Sequence, residues 1–281
     1  PTKRCKEFRK QAADSGIAIT GVAANNDFSS PIAEHREANL ANVREMIRMT
    51  SELGGKILRV YLIWAGATKL PDGGGRYDSA QKIWDFTQQS STPELTWENC
   101  RACLIEYARV AGGYGVTLAL QNHKPMIKSY KDVLRMVGEV GSPHLKCCMD
   151  APIMESKDPE YLRKVVLETG PLQIHTHFGG EYEQDAPGQP IRRPKVQGQW
   201  GGPYKHEGYE TADIYVPFFR AMLETGYRDY AGYELCHPLP VVNGKTVGLD
   251  FADKNARLAA EYIRGAIAEA KKQATGALAR L

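Results

Sequence analysis

Four successive apolar segments of the sequence each end in a side chain that can bind a metal ion. The four side chains are Gln121, Asp150, His177 and Glu234. Two carboxylates, one amide oxygen and one imidazole form a donor set that suits Mn²⁺, Mg²⁺ or Co²⁺ better than a thiolate-type zinc site does. Any one of these residues alone is more often a helix cap, a turn former or a hydrogen-bonded core residue. Four of them at corresponding positions of one repeat predict a common metal site.

The apolar segments are predicted to be β-strands, because each is short and is followed by an amphipathic helical pattern. Alternation of strands and helices indicates a parallel sheet with right-handed crossovers. The chain begins in what reads as the middle of a helix. The predicted strands are 17–22, 57–64, 116–120, 145–149, 172–177 and 230–235. The predicted helices are about 34–53, 96–112, 129–140, 159–168, 212–225 and 251–272.

The connections differ in length at the two ends of the predicted strands. Turns from a helix to the next strand are short and rich in glycine, whereas segments 65–95 and 178–211, which follow strands, are long. A (β/α)₈ barrel builds its active site from the loops that follow its strands. We therefore predict an α/β fold of the TIM (β/α)₈ barrel class in a single domain over residues 1–281. Six units are two fewer than a closed barrel needs, so we expect the first two strands to be missing from this chain; an open sheet or an irregular barrel is the alternative.

Composition excludes several classes of protein. With 281 residues, 42% of them hydrophobic, and a net charge of +3, the chain is typical of a globular protein and not of a strongly basic nucleic-acid binder. No apolar run approaches the roughly 18 residues that a membrane span needs, and no signal peptide is visible at the start. We expect the six cysteines to be free thiols in a cytoplasmic protein.

The sequence resembles the xylose isomerase-like TIM barrels, a superfamily described as sugar phosphate isomerases and epimerases. The resemblance covers about residues 15–270, and by its register the first visible strand is the third of the barrel. It implies a metal ion held by Glu, Asp, His and Glu at the ends of strands five to eight. The segments that carry it are LALQNH (118–123), KCCMD (146–150), HTHF (175–178) and GYELCH (232–237).

Gln121 departs from the family pattern, which has Glu at this position. An amide oxygen can bind a metal ion, but it cannot act as a base, so a symmetric mechanism with two glutamates is disfavoured. His123 lies two residues further on and on the same strand face, and an imidazole suits general base work near neutral pH. We therefore predict His123 and Glu234 as the catalytic residues; hydrogen bonding of His123 to substrate hydroxyls is the alternative.

Further polar and aromatic residues near the strand ends are candidates for substrate binding. His175 shares a strand face with His177, because side chains alternate along a strand. A basic run at 192–195 could bind a phosphate. The predicted substrate-binding residues are His175, Lys124, Glu181, His237 and Trp200.

The predicted function is a metal-dependent enzyme that abstracts the proton next to a sugar carbonyl, with Mn²⁺ favoured and Mg²⁺, Co²⁺ or Zn²⁺ as alternatives. Isomerisation or epimerisation of a ketose is favoured. A 3-keto-glycoside lyase, similar to the catalytic subunit of C-glycoside deglycosidases, is the alternative. An endonuclease of the AP endonuclease IV type and a non-catalytic sugar-binding barrel are less favoured. The expected partners are a small sugar or keto-glycoside and either further copies of the chain or a small partner subunit, with no nucleic acid and no membrane.

Overall fold

The computed structural model describes residues 2–64, 68–69, 75–197, 205–235, 239–242 and 245–278. The helices are α1 Thr2–Asp14, α2 Ala33–Glu52, α3 Tyr77–Gln88, α4 Pro93–Gly113, α5 Tyr130–Val140, α6 Pro159–Thr169, α7 Tyr215–Glu224 and α8 Leu249–Leu278. The strands are β1 Gly21–Ala23, β2 Ile57–Val60, β3 Thr68–Lys69, β4 Gly75–Arg76, β5 Thr117–Gln121, β6 Leu145–Asp150, β7 Gln173–Gly179, β8 Pro194–Gln197, β9 Lys205–Tyr209, β10 Ala231–Glu234, β11 Val241–Val242 and β12 Lys245–Thr246.

The chain divides into two compact units that interleave along the sequence. The first unit comprises Pro1–Trp64, Asp85–Glu155 and Pro171–Thr176. In it β1, β2, β5 and β6 pair in parallel in that order, with the beginning of β7 next to β6. Helices α2 and α4 pack on each other, and α4 and α5 contact the strands that follow them. The parallel pairing brings the carboxyl ends of these strands to one edge of the sheet.

The second unit comprises Ala65–Trp84, Ser156–Gly170 and His177–Leu281. In it the end of β7 is hydrogen-bonded to β10, and helix α7 packs against both α6 and α8. Three short antiparallel pairs, β3–β4, β8–β9 and β11–β12, also lie in this unit. The prediction of a single domain stays a prediction.

Capping residues and glycines in the sequence mark where several of the helices next to the strands begin or end. Thr92 accepts a hydrogen bond from Leu95 N at the start of α4, with Pro93 in the first turn, and Asp158 does the same for Tyr161 N before α6. Such caps satisfy amide groups that have no partner inside the helix. Helix α5 ends at Gly141, whose φ of 62° is accessible to glycine at little cost. Helices α4, α5 and α6 are therefore each bounded at one end by a residue of their own sequence.

The predicted alternation of strands and helices is confirmed, and all six predicted strands are present in the sheet. The first residues, Thr2–Asp14, form helix α1, so the prediction that the sequence given starts in a helix is confirmed. Segment 65–95 is not only a loop, since it contains β3, β4 and the whole of α3. The glycines at 73–75 indicated a loop, although Tyr77, Ala80, Ile83 and Trp84 have helical spacing. Segment 178–211 likewise contains β8 and β9.

Five cysteines are described, namely Cys5, Cys100, Cys103, Cys147 and Cys148, and all five are free and buried. The prediction of free thiols is confirmed for these. Burial raises the pKa of Cys147 to about 12 and the pKa of Cys103 to about 11, so these thiols stay protonated near neutral pH. In the described part of the chain, none of the helices has the length and apolar character to cross a membrane.

Candidate functional site

Gln121 and Asp150 form a buried pair at the ends of β5 and β6. The parallel register places Gln121 opposite Cys148, so that Asp150, two residues on, faces the same side of the sheet. Gln121 Nε2 donates a hydrogen bond of 2.8 Å to Asp150 Oδ2, and the two residues are only 2% and 3% exposed. Among the described residues, none donates a hydrogen bond to the buried Gln121 Oε1. A buried amide oxygen beside a carboxylate fits a divalent cation.

Asn122 fixes the backbone of Asp150. Its Oδ1 accepts a hydrogen bond of 2.8 Å from Asp150 N, and its Nδ2 lies 3.3 Å from Asp150 O as a donor. The side chain thus continues the ladder between β5 and β6 beyond the last strand pair. Sequence reasoning did not single out Asn122. Its place directly after a strand that ends in a predicted ligand was the available signal.

His123 is half-buried and lies on the loop after β5, so the prediction that it shares a strand face with Gln121 is wrong: the strand ends at Gln121, and His123 N turns back to donate to Gln121 O at 2.9 Å. Its Nδ1 lies 2.6 Å from Lys124 O, and because a carbonyl oxygen only accepts, Nδ1 carries the proton. When the ring is neutral, its lone pair is then on Nε2, which is the form that a general base requires. The side chain of Lys124 is exposed. Its carbonyl, and not its ammonium group, is what contacts the predicted base.

His177 on β7 and Glu234 on β10 are the other two predicted metal ligands, and they form a pair in the second unit. His177 Nε2 lies 2.9 Å from Glu234 Oε2, with His177 buried and the Glu234 side chain 41% exposed. An imidazole and a partly exposed carboxylate in contact can exchange a proton or bind a cation together. His175 lies two residues before His177 on β7, and it is half-buried.

Glu181 is buried after β7 and is paired with His206 on β9. His206 Nε2 lies 3.0 Å from Glu181 Oε2, and His206 Nδ1 lies 3.0 Å from Glu183 Oε1. Tyr209 OH donates to the other oxygen of Glu183 at 3.0 Å. These contacts connect the hairpin of β8 and β9 to the segment after β7. His206 was not singled out from the sequence, because nothing local relates it to Glu181.

The basic run at 192–195 is engaged with other side chains of the second unit. Arg192 forms an ion pair with Asp185 at 2.5 Å and lies over the ring of Tyr209. Arg193 lies 4.8 Å from the ring centroid of Tyr215. Both arginines therefore have structural contacts, and phosphate binding by this run stays a prediction.

The predicted ligands thus occur as two pairs, with Gln121 and Asp150 in the first unit and His177 and Glu234 in the second. Within the described ranges, no group of three or more His, Cys, Asp or Glu side chains has the spacing that holds a metal ion. Joint binding of one ion by both pairs stays a prediction. The predicted substrate-binding residues His237 and Trp200 lie outside the described residues.

The fold and the strand ends point to one family. The sequence model of the family described as xylose isomerase-like TIM barrel matches residues 1–265, so the chain belongs to this family. The predicted fold class and family are thereby confirmed. A comparison with curated protein sequences gives no significant match.

Solved structures of sugar epimerases are similar to this chain. The 3-keto-D-glucoside 4-epimerase from E. coli matches over 96% of this chain and 85% of that chain, with a TM-score of 0.62 and 17% identity. D-psicose 3-epimerase from Clostridium cellulolyticum H10, solved with D-tagatose, matches over 95% and 84%, with a TM-score of 0.63 and 17% identity. A xylose isomerase-like TIM barrel protein from Mycobacterium smegmatis, solved with magnesium, matches over 95% and 79%, with a TM-score of 0.58 and 19% identity. At these identities the likeness shows the fold.

Proposed function

We propose that the protein is a carbohydrate isomerase or epimerase that uses a divalent metal ion. One observation carries the proposal: metal-competent side chains lie at or within two residues of the ends of four strands that follow one another in the sheet order β5, β6, β7, β10. The family membership supports it, and the names of the structural neighbours favour a sugar epimerase. The substrate is a small ketose or a keto-glycoside.

The metal ion would be held by Gln121, Asp150, His177 and Glu234, with Mn²⁺ favoured by the oxygen-rich donor set. The buried Oε1 of Gln121 beside Asp150 is the structural observation that supports this choice. When bound, the ion supplies Lewis-acid chemistry, which makes the proton next to a carbonyl more acidic. Two carboxylate ligands leave the site near neutral, which favours a developing oxyanion more than three carboxylates would.

His123 is the proposed base. Its Nδ1 proton is directed to Lys124 O, so Nε2 receives the proton of the substrate. Gln121 cannot take a proton, and Glu234 is the second group able to return one. The proposed site thus has a histidine base and one glutamate, which distinguishes it from a site with a glutamate on each side of the substrate.

A second candidate function is elimination from a 3-keto-glycoside. The observation that favours it is again Gln121, because an elimination needs one strong base and one acid, not two equivalent carboxylates. A structural neighbour acts, by its name, on a 3-keto-D-glucoside, which shows that the fold accommodates such a substrate in that protein. Product analysis separates the two reactions, since elimination releases the aglycone and epimerisation does not.

The test combines elemental analysis with activity assays. The purified protein is analysed for Mn, Mg, Co and Zn and is then assayed on ketoses and on 3-keto-glycosides with added Mn²⁺. We expect about one divalent ion per chain and an activity that chelation abolishes. His123→Asn should lose turnover and keep the metal, whereas the control His144→Asn, on the turn before β6, should behave like the wild type. A protein with neither bound metal nor metal-dependent activity would refute the proposal.

A further inference from the structure

We propose that Tyr61 is a positioning residue that holds the ring of His123 in its reactive orientation. The inference rests on the proposed function, because it concerns the base of that reaction. Tyr61 directly follows β2, and it lies in the same unit as His123. It was not singled out from the sequence.

The ring of Tyr61 contacts the ring of His123. Their centroids are 4.9 Å apart, and the ring planes are inclined by 68°, which is the edge-to-face arrangement that aromatic rings favour. Tyr61 is 4% exposed, whereas His123 is half-buried. Tyr61 is therefore the more deeply buried partner, and the His123 ring that it contacts is the one closer to solvent.

Two further side chains, Asn26 and Arg59, contact Tyr61 itself. Asn26 donates from Nδ2 to Tyr61 O at 2.7 Å and accepts from Tyr61 N at 3.0 Å, so one side-chain amide satisfies both backbone groups. The guanidinium carbon of Arg59 lies 5.4 Å from the centroid of the Tyr61 ring. A cation over an aromatic face is attracted to it. Backbone and ring of Tyr61 are thus each held by a different side chain.

A hydrogen bond and a ring contact both act on His123. The hydrogen bond from Nδ1 to Lys124 O determines which nitrogen carries the proton, and the contact with Tyr61 limits rotation of the ring. Together they determine the direction in which Nε2 presents its lone pair. Misplacement of a reacting group by about 1 Å can lower the rate by about 100-fold. Removal of the Tyr61 ring should therefore reduce turnover without removing any group that touches substrate.

The test compares Tyr61→Leu with Tyr61→Phe in the full chain loaded with Mn²⁺. Tyr61→Leu should lower kcat by about 10- to 100-fold with little change in KM, and Tyr61→Phe, which keeps the ring, should recover most of the activity. Tyr107→Leu is the matched control, because Tyr107 is a buried tyrosine of the same unit that stacks on Phe28. An unchanged kcat in Tyr61→Leu, or an equal loss in Tyr107→Leu, would overturn the inference.

A double variant shows whether Tyr61 acts through His123. In a His123→Asn background, Tyr61→Leu should cause no further loss, whereas an independent role would add its full effect. NMR of the ring protons of His123 provides a readout that needs no substrate: their resonances should move in Tyr61→Leu and stay in Tyr107→Leu. If the wild type acts on no sugar, the proposed function fails, and this NMR comparison alone decides the positioning role. Unmoved His123 resonances in Tyr61→Leu would refute it.

Discussion

Replacing Gln121 by Glu tests the electrostatics of the pair with Asp150. The change exchanges an amide that donates a 2.8 Å hydrogen bond for a second carboxylate at a buried position. Two charges about 4 Å apart repel each other by about 4 kcal/mol at an effective dielectric constant of about 20. Loss of a hydrogen bond to a charged acceptor costs about 1.5–3 kcal/mol. Because the side chains can move apart, we expect the free energy of unfolding to fall by about 3–5 kcal/mol at pH 8 without metal.

The effect should depend on pH in a defined direction. Burial and the neighbouring carboxylate raise the pKa of the introduced carboxyl above the value of an unfolded Glu, about 4.3. Destabilisation is therefore absent below that value and grows as the pH rises towards the pKa in the folded protein. At pH 5 the introduced carboxyl keeps its proton, donates to Asp150, and leaves the variant close to the wild type.

Urea unfolding followed by circular dichroism at pH 5 and pH 8, with chelator present, measures this effect. Gln121→Met is the control, because it loses the same hydrogen bond without adding charge. Gln121→Glu should be less stable than Gln121→Met at pH 8 and at least as stable at pH 5. Equal unfolding midpoints of the two variants at pH 8 would show that the pair is not as close or as buried as the structure has it.

Three further predictions each concern a single residue. Asn122→Ala removes both hydrogen bonds to the backbone of Asp150 and should lower the free energy of unfolding by about 2–3 kcal/mol. A denaturant titration measures this loss, and an unchanged unfolding midpoint would contradict the role of Asn122 in holding Asp150. Burial raises the pKa of Cys147 to about 12, so this thiol should resist alkylation at pH 8 until the protein is unfolded. Mass spectrometry measures the labelling, and rapid labelling of the native protein would be the contrary result. His206→Ala removes the 3.0 Å contact between β9 and the buried Glu181. Limited proteolysis should therefore cut β9, Lys205–Tyr209, faster than in the wild type, and an unchanged rate would argue against this connection.

The alternation of strands and helices could be predicted because it depends on local periodicity. The strands are short and mostly apolar before their polar ends, the helices carry apolar residues at helical spacing, and glycine or a capping side chain bounds several of them. The same patterns predict where the metal-competent side chains lie: Gln121, Asp150 and Glu234 end their strands, and His177 lies two residues before the end of β7. Helix α3 was missed because the glycines before it indicated a loop, although its own residues have helical spacing.

The contacts around these residues could not be predicted, because they join distant parts of the chain. Asn26 and Tyr61 are 35 residues apart, and Glu181 and His206 are 25 residues apart. Only packing and pairing in three dimensions decide which side chain Asn26, Tyr61 or His206 meets.

The sequence by itself therefore determined which groups stand at the carboxyl ends of the strands, since strand order and side-chain alternation are local properties. The tertiary structure alone decided how those groups are held. It paired the Gln121 amide with Asp150, directed the proton of His123 to Lys124 O, and placed the Tyr61 ring against the imidazole. The physical reason is that a hydrogen bond or a ring contact depends on distances of a few ångströms between elements, which no local pattern specifies.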